Sequence, residues 1–324
     1  MSASIPGQLR VEVTRLRWRR AVLLLLVAAV VLPALLLAGT AWGSRPMTEA
    51  EVDALLADRY AQREVTRCER RPEAYLEIGT DDPGPCRELI AGWYGGRQPL
   101  SVQNELGDGV LAASTLVLLL LVLAGTTFVG HDWNTGSMSN QLLFEPRRGR
   151  VWATKAATLV LVAGLLGTAV LAAYWSGLLG LAASRDLPVP DGVVRDGFEQ
   201  VLRTGALGAA AALAGYALTM LFRSTVATVG VLFALAVASG ALLGIVGQSS
   251  ARWTPPLNVL AVVQDGASYY DESSVPPECF AGQGGPECDG ERTISATDGG
   301  LYLGTGLLVV VVASVVSFRR RDVP

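Results

Sequence analysis

Apolar and polar positions along this chain fall in blocks, not with the period of an amphipathic helix or strand. Six stretches, 21–41, 109–130, 153–177, 204–222, 225–247 and 299–318, are continuously apolar. About 20 such residues cross roughly 30 Å of hydrocarbon at 1.5 Å per residue. Each is expected to be a helix, because lipid offers no partner to a free backbone N–H or C=O. No Asp, Glu, Arg or His falls inside them, and Lys155 is counted with the polar segment before the third. The pattern predicts an all-α integral membrane protein with six spans. Arg15, Arg17, Arg19 and Arg20 ahead of the first run, with Ala38 and Ala41 near its end, also suit a signal peptide. Its apolar run exceeds the usual ~7–15 residues of a signal core, so an uncleaved span is the reading adopted.

The polar segments between the spans differ in charge, and this predicts orientation. Segments 1–20, 131–155, the turn at Arg223 and the tail 319–324 together hold 13 basic and 4 acidic residues. The alternate loops 42–108, 183–200 and 248–298 hold 12 arginines against 25 acids. Basic segments stay in the cytoplasm, so both termini are expected there. Cys68, Cys86, Cys279 and Cys288 all lie in loops assigned outside, where disulfides persist. Four cysteines allow three pairings; the local one, Cys68–Cys86 and Cys279–Cys288, is the expectation. With no loop histidine and no C-x-x-C, a zinc site is not expected.

Two outer loops are too long to be connectors. In 42–108, Thr48 and Glu51 form a capping box, and Val52, Leu55, Leu56 and Tyr60 follow at helical spacing, predicting one helix over 49–70. Residues 72–96 are rich in Gly and Pro and are expected to be irregular, with Trp93 and Tyr94 suited to the lipid–water interface. In 248–298 a short apolar run, Leu257 to Val263, follows Pro255 and Pro256 and is too short to cross. It is expected to re-enter or lie on the interface. The acids Asp265, Asp271, Glu272, Glu278, Glu287, Asp289 and Glu291 lack the spacing of a calcium loop. They are read as a solvated acidic surface.

Composition narrows the function. Of 324 residues 51% are apolar and 17% charged, where a soluble chain carries about a quarter charged. That excludes a soluble enzyme, a disordered chain and a nucleic-acid binder. The single lysine against 25 arginines reflects base composition. Lys155 is flanked by Thr154 and Ala156, so no P-loop is present. With one histidine, His131, a two-histidine zinc motif is impossible; beside Asp132, His131 reads as an interfacial residue, not a base. The span interiors lack the charges that ion-driven transporters place there. No catalytic residue, metal or cofactor is expected in this chain.

The most informative polar segment joins spans two and three: Gly130-His131-Asp132-Trp133-Asn134-Thr135-Gly136-Ser137-Met138-Ser139-Asn140-Gln141-Leu142-Leu143-Phe144-Glu145-Pro146-Arg147-Arg148-Gly149-Arg150, leading to Lys155. Asn134 or Thr135 can cap a short helix and Pro146 stops it. Met138, Leu142 and Phe144 or Leu143 form its apolar edge, suited to docking in a partner's groove.

This segment resembles the cytoplasmic loop of type-2 ABC transporter permeases, the export-type membrane subunits. Their acidic residue, Gly-Thr/Ser, Leu-Leu, Pro and Arg/Lys pattern is matched by Asp132, Gly136-Ser137, Leu142-Leu143, Pro146, Arg147, Arg148, Arg150 and Lys155. The family usually has Glu at the place of Asp132, its Pro falls about one residue earlier, and many members have a shorter first outer loop. The six spans and the tight turn at Arg223 extend the likeness. The resemblance implies a permease without catalysis of its own, pairing with a second copy or homologue and with two ABC ATPase subunits that bind ATP and Mg. Segment 131–152 then acts as a coupling helix, with Trp133 beside the motif, and about 8–20 as a connecting helix before the first span. Gly240 and Gly244 form a G-x-x-x-G in span five that permits close helix approach, and the resemblance places that span at the permease–permease contact. The implied substrate is hydrophobic or amphipathic and is exported across the plasma membrane. The alternative is a membrane-anchored sensor or accessory protein whose outer loops bind a ligand or partner; a third reading is an ion-driven transporter.

Overall fold

The structure, a computed structural model, describes residues 5–75, 86–97, 100–276, 279 and 288–321, with the side chains of residues 5 and 6 left aside. Among the described residues, six helices are long and apolar enough to cross a membrane. The chain opens with α1 (Ile5–Trp18), which lies beside the first spanning helix, α2 (Arg20–Gly43). A small lobe follows, of α3 (Glu49–Leu55), α4 (Arg59–Arg70), α5 (Cys86–Gly95) and α6 (Val102–Gly107). Then come α7 (Gly109–Asn134), the short α8 (Ser137–Phe144), α9 (Arg148–Ala183), α10 (Val193–Phe222) and α11 (Thr225–Val246). A second lobe holds α12 (Pro255–Gln264) and the strands β1 (Ala267–Tyr270) and β2 (Glu291–Ile294), before the last spanning helix α13 (Ala296–Arg320). Helix α1 and the end of α13 both meet the 131–150 segment; this side is called the terminal face below.

The core is the trio α7, α9 and α10, around Phe128, Leu121, Leu171, Trp175 and Tyr216. Between apolar helices in lipid, dispersion and close backbone approach replace the hydrophobic effect. Glycine makes that approach possible. A Cβ on Gly125 would stand 2.2 Å from the Ala212 carbonyl oxygen, and one on Gly215 2.4 Å from that of Val122. Helix α2 closes the trio on one side. Arg185, just beyond α9, donates to the Ala41 and Ser44 carbonyls at 2.7 Å each, satisfying the end of α2. The outer helices are bare by comparison: 6% of the apolar stretch of α11 is buried against 50% in α10. Among the described residues, nothing lies within 4 Å of where a Cβ on Gly240 or Gly244 would stand, so none of them partners that face of α11.

The lobes depart from the sequence expectations in identifiable ways. The helix expected over 49–70 is two helices. The Thr48–Glu51 capping box is present, but Asp58 accepts from the Tyr60 N–H at 2.7 Å and starts a second helix. Residues 86–95, expected to be irregular, are helical; the prolines of the stretch precede them, and Ile90 and Ala91 complete a small core with Val52, Leu56, Ala61 and Val65. Residues 76–85 lie outside the described residues. The all-α expectation is amended by the antiparallel pair β1–β2, registered Ala267 to Ile294 and Tyr270 to Glu291. The Leu257–Val263 run is a helix whose Asn258 and Ala261 lie against Gly299 of α13. Both cysteine pairs are bonded locally, Cys68–Cys86 and Cys279–Cys288. The loop expected over 178–203 shrinks to nine residues, 184–192, because α9 continues through the apolar stretch Leu178–Ala183 and α10 begins at Val193, ahead of Arg195, Asp196, Glu199 and Arg203. Hydropathy marks contact with lipid and not the end of a helix.

Among the acids of the second lobe, Asp271 accepts from the Ser273 N–H, Asp289 from the Glu291 N–H, and Asp265 pairs with Arg203 at 2.8 Å. Glu278 and Glu287 lie outside the described residues.

Candidate functional site: a buried charge cluster beneath a short exposed helix

At the terminal face α7 ends at Asn134 with Thr135 as its C-cap. The reversal into α8 needs a left-handed residue, and Gly136 takes it at φ 68°. Gly136, not Asn134 or Thr135, is therefore the N-cap of α8. The helix stops at Phe144, one residue before Glu145 and two before Pro146. Four elements (α1, α7, α8 and α9) converge here, and charged side chains join them.

Lys155, expected to belong to the polar segment, lies two turns inside α9 and is wholly buried. Its Nζ donates to Glu12 Oε2 at 2.8 Å and to Asp132 Oδ2 at 2.9 Å. Arg19 donates to Asp132 Oδ1, as does the Ser137 hydroxyl at 2.5 Å. The other oxygen of Glu12 accepts from Arg15 at 3.2 Å and from Gln141 Nε2 at 2.9 Å. Gln141 Oε1 in turn accepts from Arg15 at 2.7 Å. The Phe128 ring lies under both cations, 4.8 Å from Arg19 Cζ and 5.5 Å from Lys155 Nζ. Glu12, Asp132 and Lys155 are all within 1% of fully buried. Such charges are tolerated only when paired and hydrogen-bonded; removing one partner costs about 3–5 kcal/mol. The cluster thus fixes the position of α1 and α8 on the spanning helices.

A second set of contacts extends this tie. Gln8 donates to Glu145 Oε2 at 2.9 Å, and Arg150 pairs with the same oxygen at 3.4 Å. Partial desolvation pushes the Glu145 carboxyl up, but the Arg147 N–H, Gln8 and Arg150 together hold it below the usual carboxylate value. Arg148 donates to the Phe318 and Arg321 carbonyls, anchoring the end of α13. Trp133 meets Phe318 edge-on at 6.2 Å and stacks under Arg223 at 4.9 Å.

The residues expected to couple to a partner therefore separate into two groups. Asp132, Trp133, Ser137 and Leu142 face inward and hold α8 in place, Met138 is buried beneath it, and Gly136, itself exposed, makes the turn. Leu143 and Phe144 point out and are 80% and 90% exposed. Pro146 and Arg147 are exposed; Arg148 and Arg150 are half-buried. The sequence reading missed Glu12, Arg15 and Arg19 as parts of this site. Two signals were available: Glu12 is the one acid in a basic segment, and Lys155 the one lysine in the chain. His131 is exposed. Elsewhere, an apolar crevice of about 320 Å³ runs between Val30, Pro33 and Leu37 of α2 and Ala169, Ala173 and Tyr174 of α9.

Comparison with known proteins finds no matching family model, no matching curated protein and no matching solved structure.

Proposed function

We propose that this chain is the membrane-spanning permease subunit of an ATP-driven transporter of the type-2 ABC, export kind, lying in the plasma membrane with both termini in the cytoplasm. Its energy comes from separate ATPase subunits docked on α8, and it performs no catalysis itself. The observation that carries this reading is the pairing of exposed Leu143 and Phe144 with a rigid mount beneath them. Two large apolar side chains at the tip of a surface helix are a docking anchor, and the ion pairs of Glu12, Asp132 and Lys155 let a push on α8 reach α7 and α9 without slack. The bare face of α11 around Gly240 and Gly244 supports a second permease copy or homologue as partner. The cargo is hydrophobic or amphipathic, in keeping with spans of Leu, Val and Ala with Ser and Thr between them.

The test is affinity purification of the tagged chain from its own cells, with and without residues 136–144. A P-loop ATPase accompanying the full chain and lost with the deletion supports the reading; its absence from the full chain overturns it. A second reading, a sensor or accessory protein, is favoured by one observation: the first lobe has a core and disulfide of its own. It predicts a stable complex that needs residues 45–97 and is indifferent to α8.

A further inference from the structure

Beside α8, a separate, shallow surface hollow of about 520 Å³ is lined by Pro146, Arg147, Arg148, Gly149, Arg150 and Arg319. Its walls come from two elements far apart in sequence, the start of α9 and the end of α13. Arg148 joins them by donating to the Phe318 and Arg321 carbonyls. These are neutral acceptors, so its charge is left uncancelled. Among the described residues, Arg147, Arg148 and Arg319 meet no carboxylate; Arg150 alone does, through Glu145. The guanidinium of Arg319 lies against Gly149, where a Cβ would stand 2.8 Å from Nη2. Glycine thus keeps this wall open. No side chain caps α9, whose first turn opens at the same place. Four arginines lining one hollow, of which Arg150 alone meets a carboxylate, suit a phosphate, which takes paired N–H donors from arginine.

We infer that this cavity is a phosphate-binding site at the membrane surface, and that its ligand is the phosphodiester of an anionic lipid headgroup. The cavity is formed where two spanning helices emerge from their apolar stretches, at the level of lipid headgroups. The inference does not depend on an ATPase partner, since every residue belongs to this chain.

The test uses the purified full chain, without other proteins, in nanodiscs of phosphatidylcholine, with phosphatidylglycerol titrated in or inorganic phosphate added to the buffer. Phosphatidylglycerol should raise the melting temperature of the wild type. The R147Q/R319Q variant should need about tenfold more of it for the same shift. G149A should weaken the response by displacing Arg319. R17Q/R20Q, which removes two exposed arginines from the same face, should respond as the wild type does. An equal loss in R17Q/R20Q would mean diffuse surface charge and overturn the site, as would no shift from either probe. A shift from inorganic phosphate in pure phosphatidylcholine, abolished in R147Q/R319Q, would keep the site but make its ligand a soluble phosphate. Should the variants fail to fold, the wild type still decides. A phosphatidylglycerol photolabel reactive at the headgroup must mark residues 146–150 and 319; labelling spread over the whole face overturns the proposal.

Discussion

Lys155 Nζ stands 2.8 Å from Glu12 Oε2, although 143 residues separate the two and both side chains are buried. This single contact fastens α1 to α9, two turns from the start of that helix. Lys155→Met leaves Glu12 with Arg15 alone and Asp132 with Arg19 alone. It should cost about 3–5 kcal/mol, read as a lowered melting temperature in detergent or nanodiscs. Glu12→Leu with Lys155→Met should recover most of that loss, because a buried pair replaced on both sides is close to neutral. Additive losses would mean the two do not interact.

The tip of α8 should behave in the opposite way. Leu143→Asp and Phe144→Asp change exposed side chains, so the melting temperature should stay within what about 0.5 kcal/mol produces. Recovery of the ATPase with the tagged chain should fall by about tenfold or more, as for an interface anchor. Unchanged recovery would remove these two residues from the docking surface.

Glycines on different helices should differ sharply. Gly125→Leu and Gly215→Leu drive side chains into backbone carbonyls of the facing helix, and neither backbone can yield without parting α7 from α10. Both should lose well over the ~1–3 kcal/mol of ordinary overpacking. Gly240→Leu meets open space among the described residues. It should leave the melting temperature of the dispersed chain alone and weaken copy-to-copy crosslinking through α11. Unaltered crosslinking would remove α11 from the interface.

Acid should loosen the first lobe. The Arg97 side-chain hydrogen bond, followed by the Thr48 N–H, holds the Glu51 carboxyl at about 2, below its ordinary 4.5. A carboxyl whose folded value is depressed contributes stability that is present above 4.5 and lost as the pH falls toward about 2. Amide protection in α3, corrected for intrinsic exchange, should therefore decline across that window in the wild type. It should be lower but flatter with pH in Glu51→Gln. An equally steep decline in that variant would assign the effect to another group.

The six spans were legible because uninterrupted apolarity leaves no other fold in lipid, and the local cysteine pairing expected is the one found; the unequal distribution of arginine predicts an orientation. What stayed hidden has physical reasons. Lys155 reads as a surface residue because its partners, Glu12 and Asp132, lie in other segments, and pairing across 143 and 23 residues leaves no local pattern. The starts of α9 and α10 were missed because their charged first turns, with Arg148 and Arg150 in one and Arg195, Asp196 and Glu199 in the other, continue a helix without adding apolarity. Asp58 was overlooked as a cap because the apolar spacing runs on through Tyr60. At α8, the inward turn of Leu142 and outward turn of Leu143 depend on Gly136, whose positive φ is a backbone fact that composition does not carry.

Orientation can be checked with the disulfides. After reduction of intact cells, a membrane-impermeant maleimide should label Cys68, Cys86, Cys279 and Cys288, while a cysteine placed at Ser139 should react only once the cells are opened. The reverse pattern would place the terminal face outside.

The central claim, that an ATPase drives this chain through α8, is tested most directly by placing a photoreactive phenylalanine analogue at position 144 and irradiating intact cells. The account predicts an adduct whose second component, sequenced by mass spectrometry, contains a Gly-Lys-Ser/Thr phosphate loop. Adducts with lipid alone, or with proteins lacking such a loop, would contradict it.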